Sequence, residues 1–226
     1  SRIISNSPKG LFGINIGPNK NSSNRNEDYL IGLRKFHNLA DYLTINISSP
    51  NTENLRSFHN EDELDQLLSL ITNEKKKLQT EIPIAVKISP DIKNENISMI
   101  SDLLLKHKVD AVIISNTTDK NREQLSNINK LEKGGLSGKP LEKKSNELIN
   151  RFYKILKGKV KIIGVGGVDS GKSAYEKIIN GATLIQLYTG MVYKGPSIAS
   201  KISNELIDIL KYEGIKNISE AIGTKN

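Results

Sequence analysis

Polar side chains interrupt four successive apolar segments of the sequence, each close to the carboxyl end of its segment. Asn15 lies in GINIG, Asn46 in TINIS, Lys87 in AVKIS, and Asn116 ends VIISN. One amide in a strand usually makes a structural hydrogen bond. A lysine among aliphatic residues, however, is costly to bury unless an anion or an electron-rich ligand faces it. The repeated placement therefore predicts that these side chains share one polar ligand.

The segments that follow these residues are rich in hydroxyl groups or in glycine. NISSPNTENLRS (46–57) and NTT (116–118) bring hydroxyls and amides, and Pro50 stiffens the first of these loops. GGLSGKPL (134–141), GVGG (164–167) and YTG (188–190) bring glycines, which allow backbone N–H groups to approach a ligand closely. The glycine-rich loops are therefore candidates for binding phosphate.

One of these loops also matches the nucleotide-binding pattern G-x-x-x-x-G-K-[ST], because residues 166–173 read GGVDSGKS after an apolar run. An ATPase normally has several further strands and an acidic strand end that binds magnesium, and LIQLYTG supplies no such acid. A dinucleotide fingerprint fails as well, because Asp169 stands where the third glycine of G-x-G-x-x-G belongs. We expect phosphate to bind at the first half of the loop, with Lys172 and Ser173 on the helix beyond it.

Short apolar strands alternate with amphipathic helices along nearly the whole chain. The predicted strands are 11–17, 42–48, 82–89, 111–116, 160–167 and 183–190, and the predicted helices are 28–39, 61–79, 96–108, 143–158, 170–180 and 197–214. Asn60 is the expected N-cap of the second helix. This alternation is typical of a parallel sheet, in which all the polar strand ends meet at one edge. A closed (β/α) barrel has eight strands, so we expect a barrel that lacks about two N-terminal strands.

Composition excludes several kinds of site. The chain has no cysteine, so it forms no disulfide and has no thiolate nucleophile or cysteine-bound metal. His37, His59 and His107 lie far apart in sequence without metal-ligand spacing, so no metal site is expected. The net charge of +8 comes without an arginine-rich run interleaved with aromatic residues, which argues against nucleic-acid binding. No apolar run approaches the roughly 18 residues of a membrane span.

Taken together, the motifs resemble one enzyme family. NISSPNTENLRS, PIAVKISPD, ISNTT, GGLSGKPL, KIIGVGGVDSG, GATLIQLYTG and AIG are similar, in order and spacing, to the quinone-dependent class 2 dihydroorotate dehydrogenases from about Leu11 to Gly223. The resemblance implies an eight-stranded (β/α) TIM barrel with FMN at its top. It also implies oxidation of dihydroorotate to orotate in pyrimidine synthesis, and reoxidation of the flavin by a membrane quinone.

The resemblance also implies roles for individual residues. Ser49 would be the catalytic base, where other classes of the family carry cysteine, and Lys87 would stabilise the reduced flavin. The residues implied to bind substrate are Asn46, Asn51, Asn116 and Thr117. The residues implied to bind FMN are Asn15, Asn46, Lys87, Ser115, Gly138, Gly166, Gly167, Tyr188 and Thr189. Lys139 and Lys194 are expected to be solvent-exposed lysines rather than phosphate ligands.

The family comparison further predicts one FMN-binding barrel domain over residues 1–226, incomplete at its N-terminal side, in a monomeric enzyme. Membrane association and quinone binding would belong to a preceding segment, and the protein would be peripheral to a bacterial or mitochondrial inner membrane. Two alternatives stay open: another FMN barrel reductase of the dihydropyrimidine or dihydrouridine type, or a non-functional remnant. The intact NISSPN and ISNTT motifs argue against another reductase. Whether the encoded protein contains the missing strands decides whether it is a non-functional remnant.

Overall fold

The computed structural model describes residues 10–49, 55–120, 122–123 and 125–226. Its sheet has six strands in sequence order, and every neighbouring pair is parallel. The strands are β1 (Gly13–Ile16), β2 (Tyr42–Asn46), β3 (Ile84–Ile88), β4 (Ala111–Ile114), β5 (Lys161–Val165) and β6 (Leu184–Gln186). All six predicted strands are therefore confirmed, each shorter than the apolar run that indicated it.

Helices connect successive strands, as the parallel arrangement requires. The α-helices are α1 (Arg25–Phe36), α2 (Glu61–Leu78), α3 (Asn96–Lys106), α4 (Glu142–Leu156), α5 (Gly171–Ile179), α6 (Thr189–Lys194) and α7 (Ile198–Tyr212). Short 3₁₀ helices cover Leu55–His59, Ile128–Leu131, Lys139–Leu141 and Ile218–Ala221. None of the helices in these described ranges has the length and apolar character that crossing a bilayer would need.

Local sequence explains where the first two helices begin. The Asn24 side chain accepts a hydrogen bond from the Glu27 backbone N–H at 3.1 Å, so α1 begins three residues before the predicted start. Asn60 occupies the N-cap position of α2, but its side chain makes no capping hydrogen bond. The first turn of that helix carries Glu61, Asp62 and Glu63, which the helix dipole favours.

Successive side chains along each strand point to opposite faces of the sheet, and each face carries a layer of buried apolar residues. Leu43, Ile45, Val86, Val112 and Ile162 point toward the helices and belong to the main hydrophobic core. Ala85, Ile113 and Ile163 form a second cluster on the opposite face of the sheet. Lys87 lies two residues after Ala85 and pairs in register with Ile113, so it belongs to this inner face.

The two edge strands define how far the sheet extends. Within the described residues, β1 pairs only with β2, and β6 pairs only with β5. The six strands and their helices therefore form a partial (β/α) barrel, in agreement with the predicted fold class.

Candidate active site at the carboxyl ends of the strands

A cavity of about 560 Å³ lies at the carboxyl ends of β3 to β6. This volume is in the range of small-molecule sites. Nine of the predicted site residues line it: Lys87, Ser115, Asn116, Thr117, Gly138, Gly166, Gly167, Tyr188 and Thr189. The fold thus brings together residues that are up to about a hundred positions apart in sequence, and their individual roles stay predictions.

Lys87 supplies a half-buried positive charge to the wall of this cavity. Desolvation by the surrounding residues lowers the pKa of its ammonium group below the ordinary value. An ammonium group in this setting is stabilised by an anion or an electron-rich ligand in the cavity.

Two of the predicted asparagines are joined by a buried serine. The Asn116 Nδ2 donates to Ser48 Oγ at 3.0 Å, and Ser48 Oγ donates to Asn46 Oδ1 at 3.0 Å. Asn46 is held from the helix side too, because the buried Tyr29 hydroxyl donates to its backbone carbonyl at 2.7 Å. Ser48 therefore fixes the loop geometry and links the end of β2 to the end of β4 across Lys87.

Ser49 directly follows this network and is half-buried. It is not one of the residues that line the cavity. The predicted substrate ligand Asn51, and Thr52 beside it, lie outside the described residues. The predicted roles of Ser49 and Asn51 therefore stay predictions.

The loop that contains Ser49 is tied to its neighbours by Arg56. Its guanidinium lies 3.3 Å from the Asp91 carboxylate, after β3, and 3.0 Å from that of Asp119, after β4. Asp91 also accepts a hydrogen bond from Thr118 Oγ1 at 2.6 Å and contacts the ammonium of Lys144. Although burial opposes it, these partners hold the pKa of Asp91 below its usual range. Three strand-end loops are thereby fixed relative to one another.

The glycine-rich loops form the other side of the cavity. Gly166 and Gly167 have φ angles of +116° and +74°, in the region that favours glycine. A Cβ on Gly167 would lie 2.5 Å from the Cβ of Glu142, and one on Gly138 would lie 3.0 Å from Thr189 Cγ2. Thr189 Oγ1 in turn donates to Ser137 Oγ at 2.9 Å. At these positions a side chain larger than hydrogen would crowd neighbouring residues, so the close packing of the two loops requires glycine.

The second half of the match to the nucleotide-binding pattern (residues 166–173) has a structural role instead. Ser170 and Ser173 form a reciprocal capping box at the start of α5. Lys172 is exposed on that helix, and neither it nor Ser173 lines the cavity. The expectation that both residues lie on the helix beyond the loop is confirmed.

Charged residues at the cavity rim were not assigned to the site from the sequence. Lys139 and Lys194 both line the cavity together with Asp169, although their side chains are 68% and 46% exposed. Lys194 Nζ donates to the Asp169 backbone carbonyl at 2.8 Å. Burial acts against ionisation of Asp169, but the two ammonium groups hold its pKa below the usual range. The prediction that both lysines are simply solvent-exposed is therefore incomplete, because they also border the site.

Two further residues lie apart from the cavity lining. Asn15, a predicted flavin ligand, is exposed on β1, where it pairs in register with Thr44. Lys177 was missed altogether and is fully buried on α5. Its signal in the sequence is its spacing, because it stands three residues after Ala174 and next to Ile178 on the apolar side of the helix. No group of three or more metal-ligating side chains is found in the ranges that the structure describes.

Comparison with known proteins identifies the family. The family model for dihydroorotate dehydrogenase matches residues 3–210. The chain is 46% identical to proteins named dihydroorotate dehydrogenase (quinone) from Salmonella paratyphi B and Salmonella newport, over 85% of this chain. A crystal structure of DHODH from Eimeria tenella in complex with ferulenol is 36% identical, with a TM-score of 0.92 over 97% of this chain.

The chain spans 59% of the length of these Salmonella relatives and 63% of the Eimeria chain. The family match covers all six strands and the residues that line the cavity. Flavin dependence is general in this family. The resemblance that the motifs indicated is thus confirmed: this chain belongs to the dihydroorotate dehydrogenase family.

Proposed function

We propose that the protein containing this chain oxidises dihydroorotate to orotate, with FMN as hydride acceptor and a quinone as final acceptor, in pyrimidine biosynthesis. The observation that carries the proposal is one cavity with two unlike sides. One side offers the half-buried ammonium of Lys87 and the amide of Asn116, and the other offers the glycine backbone of Gly166 and Gly167. The names of the Salmonella relatives support the quinone as acceptor.

The residues present suit FMN in particular. Gly138, Gly166 and Gly167 line the cavity and carry no side chain, so backbone N–H groups there can reach a phosphate. Lys87 would lie against the electron-rich edge of the flavin ring, with Ser115 beside it. Tyr188 and Thr189 would complete the site from the loop after β6, and Asn15 and Asn46 from the first two strands.

The chemistry divides between the cofactor and the protein. Bound FMN supplies the acceptor for the hydride that leaves dihydroorotate. Ser49 would take the proton from the carbon next to the substrate carbonyl while its own hydroxyl proton passes to solvent water, because a serine hydroxyl alone is a weak base. Asn46, Asn51, Asn116 and Thr117 orient the substrate, and the Ser48 hydrogen bonds hold two of these amides in place before substrate arrives.

Lys87 contributes an electrostatic effect to the same step. Its ammonium is fixed at the place where negative charge develops, and burial increases the effect of each unit of charge. The family resemblance implies Ser49 as the base where other classes carry cysteine, and a chain without cysteine accords with the quinone-dependent class. We further propose that residues 1–226 form one FMN-binding domain of a monomeric, membrane-peripheral enzyme that binds quinone outside this chain.

Replacement of Ser49 tests the assignment of the base. In Ser49→Ala we expect flavin to stay bound, while reduction of the flavin by dihydroorotate slows by about a hundredfold or more, as for loss of a general base. Stopped-flow absorbance under anaerobic conditions measures the rate. Ser203→Ala, an exposed serine on α7, is the matched control and should react at the wild-type rate. An unchanged rate in Ser49→Ala would reject Ser49 as the base.

A further inference from the structure

A buried lysine lies behind the glycine turn of the cavity. Lys177 on α5 has 0% relative exposure. Its Nζ donates to Ser145 Oγ at 3.0 Å and to Asn146 Oδ1 at 2.8 Å, and both of these partners are on α4. No carboxylate among the described residues forms an ion pair with it, so its hydrogen-bond partners in this part of the chain are neutral. Such a group is too costly to be incidental packing.

Ser145 connects this lysine to the cavity. Its hydroxyl donates to the Val165 carbonyl at 2.6 Å, and the Ser115 backbone N–H donates to the same carbonyl at 3.1 Å. Val165 ends β5 and directly precedes Gly166. A Cβ on Gly166 would lie 3.4 Å from the Ser145 Cβ, so the lysine is one side chain away from the turn. The lysine, the serine and the turn thus form one continuous chain of contacts.

We propose that Lys177, acting through Ser145, is a positioning residue that fixes the Gly166–Gly167 turn and makes the site selective for the phosphorylated form of the flavin. The proposal rests on FMN being the cofactor, as proposed above. It goes further than that assignment, because it names a residue outside the cavity lining that makes the protein bind FMN more tightly than riboflavin. Lys177 does not line the cavity. It therefore acts on a bound ligand only by fixing the position of the turn and through its own positive charge behind the turn.

The electrostatics of the site support this assignment. Burial lowers the pKa of Lys177 to about 7, with Glu142 at the start of α4 acting to raise it and Lys139 in the preceding 3₁₀ helix acting to lower it. On the strand side, the stem of the lysine meets the backbone of Gly164, which carries no charge. A phosphate dianion at the turn would favour the charged form of Lys177, so binding of FMN should be accompanied by uptake of a proton.

Flavin affinities of the whole encoded protein, stripped of its cofactor, test the proposal. Quenching of flavin fluorescence gives the dissociation constants of FMN and riboflavin for wild type and Lys177→Met. We expect the variant to bind FMN about tenfold or more weakly, and riboflavin within about twofold of wild type. Ser145→Ala should change FMN affinity in the same direction. Lys172→Met, an exposed lysine on the same helix, is the matched control and should change neither constant.

Two results would overturn the proposal. Equal loss of affinity for both flavins in Lys177→Met would show a general structural role, and unchanged FMN affinity would show no role. If wild type itself binds no FMN, the proposed cofactor fails first and the inference fails with it.

A measurement on wild type alone covers the case in which the variant does not fold. Titration calorimetry near pH 8 in two buffers of different ionisation enthalpy should show proton uptake with FMN and none with riboflavin. Equal proton exchange with both flavins would contradict the proposal.

Discussion

His59 offers a test of how the strand-end loops are held together. It lies at the end of the 3₁₀ helix after the Ser49 loop and is 6% exposed. Its Nδ1 lies 3.0 Å from the Arg56 carbonyl, and its Nε2 accepts from the Ser89 backbone N–H at 3.3 Å. These two contacts require the neutral imidazole with its proton on Nδ1. Protonation of Nε2 would remove the acceptor for Ser89.

The expected effect of pH follows from the pKa. Burial lowers the pKa of His59 from 6.5 to about 4 in the folded protein. Between these values the unfolded chain binds a proton that the folded chain does not, so stability is lost as the pH falls through this window. The full loss is about 3 kcal/mol, since each unit of pKa corresponds to about 1.4 kcal/mol, and about 2 kcal/mol of it is expected by about pH 5.

Urea unfolding near pH 8 and near pH 5 measures this contribution. The protein has no tryptophan, so far-ultraviolet circular dichroism is the suitable signal. Other groups also titrate in this range, and the comparison with His59→Gln isolates the histidine. The variant should lose about 2 kcal/mol less than wild type on acidification. His37→Gln is the matched control and should lose as much as wild type. Identical losses in wild type and His59→Gln would refute the argument.

Three further predictions concern the cavity and its loops. Lys87→Met should lower flavin retention after desalting by about tenfold without lowering the melting temperature of the flavin-free protein, because the half-buried ammonium is costly without a ligand; full retention would remove Lys87 from the site. Gly167→Ala should destabilise the fold by about 1–3 kcal/mol and abolish flavin binding, because its Cβ would meet Glu142. Gly158→Ala is the control for backbone strain alone, because Gly158 has a φ of +77° and open space around it. An equal loss of flavin binding in Gly167→Ala and Gly158→Ala would contradict the steric argument. Ser173→Ala should cost about 1 kcal/mol in chemical unfolding through loss of the helix cap, with FMN affinity unchanged; a large loss of FMN affinity would contradict the assignment of phosphate binding to the first half of the loop.

The strands and the main cavity residues could be predicted because their signals are local. Each strand is an apolar run, and Lys87 and Asn116 stand out because polar groups interrupt such runs. Parallel strands place these ends together whatever their separation in sequence. The same logic placed the glycine loops at the same end of the sheet. Together with the family resemblance it assigned residues from seven segments to one site, and residues from five of these segments line the cavity.

The supporting contacts could not be predicted, because they join residues that share no local pattern. Arg56 meets Asp91 and Asp119 only after three separate loops have folded next to one another. Lys177 stands on the apolar side of its helix, but that spacing alone does not separate it from the many other lysines of the chain, and its zero exposure identifies it as unusual. Lys139 and Lys194 are solvent-exposed as expected, but their position at the cavity rim could not be predicted, since an exposed side chain can still border a cavity.

The visible absorption spectrum of the whole encoded protein, recorded before and after anaerobic addition of dihydroorotate, tests the central proposal most directly. We expect flavin bands in the purified protein and their bleaching by dihydroorotate, because cofactor and substrate would occupy the cavity beside Lys87. Bands that persist after dihydroorotate would contradict the proposed substrate and favour another flavin-dependent barrel reductase. A spectrum without flavin bands, even after incubation with FMN, would contradict the proposed cofactor.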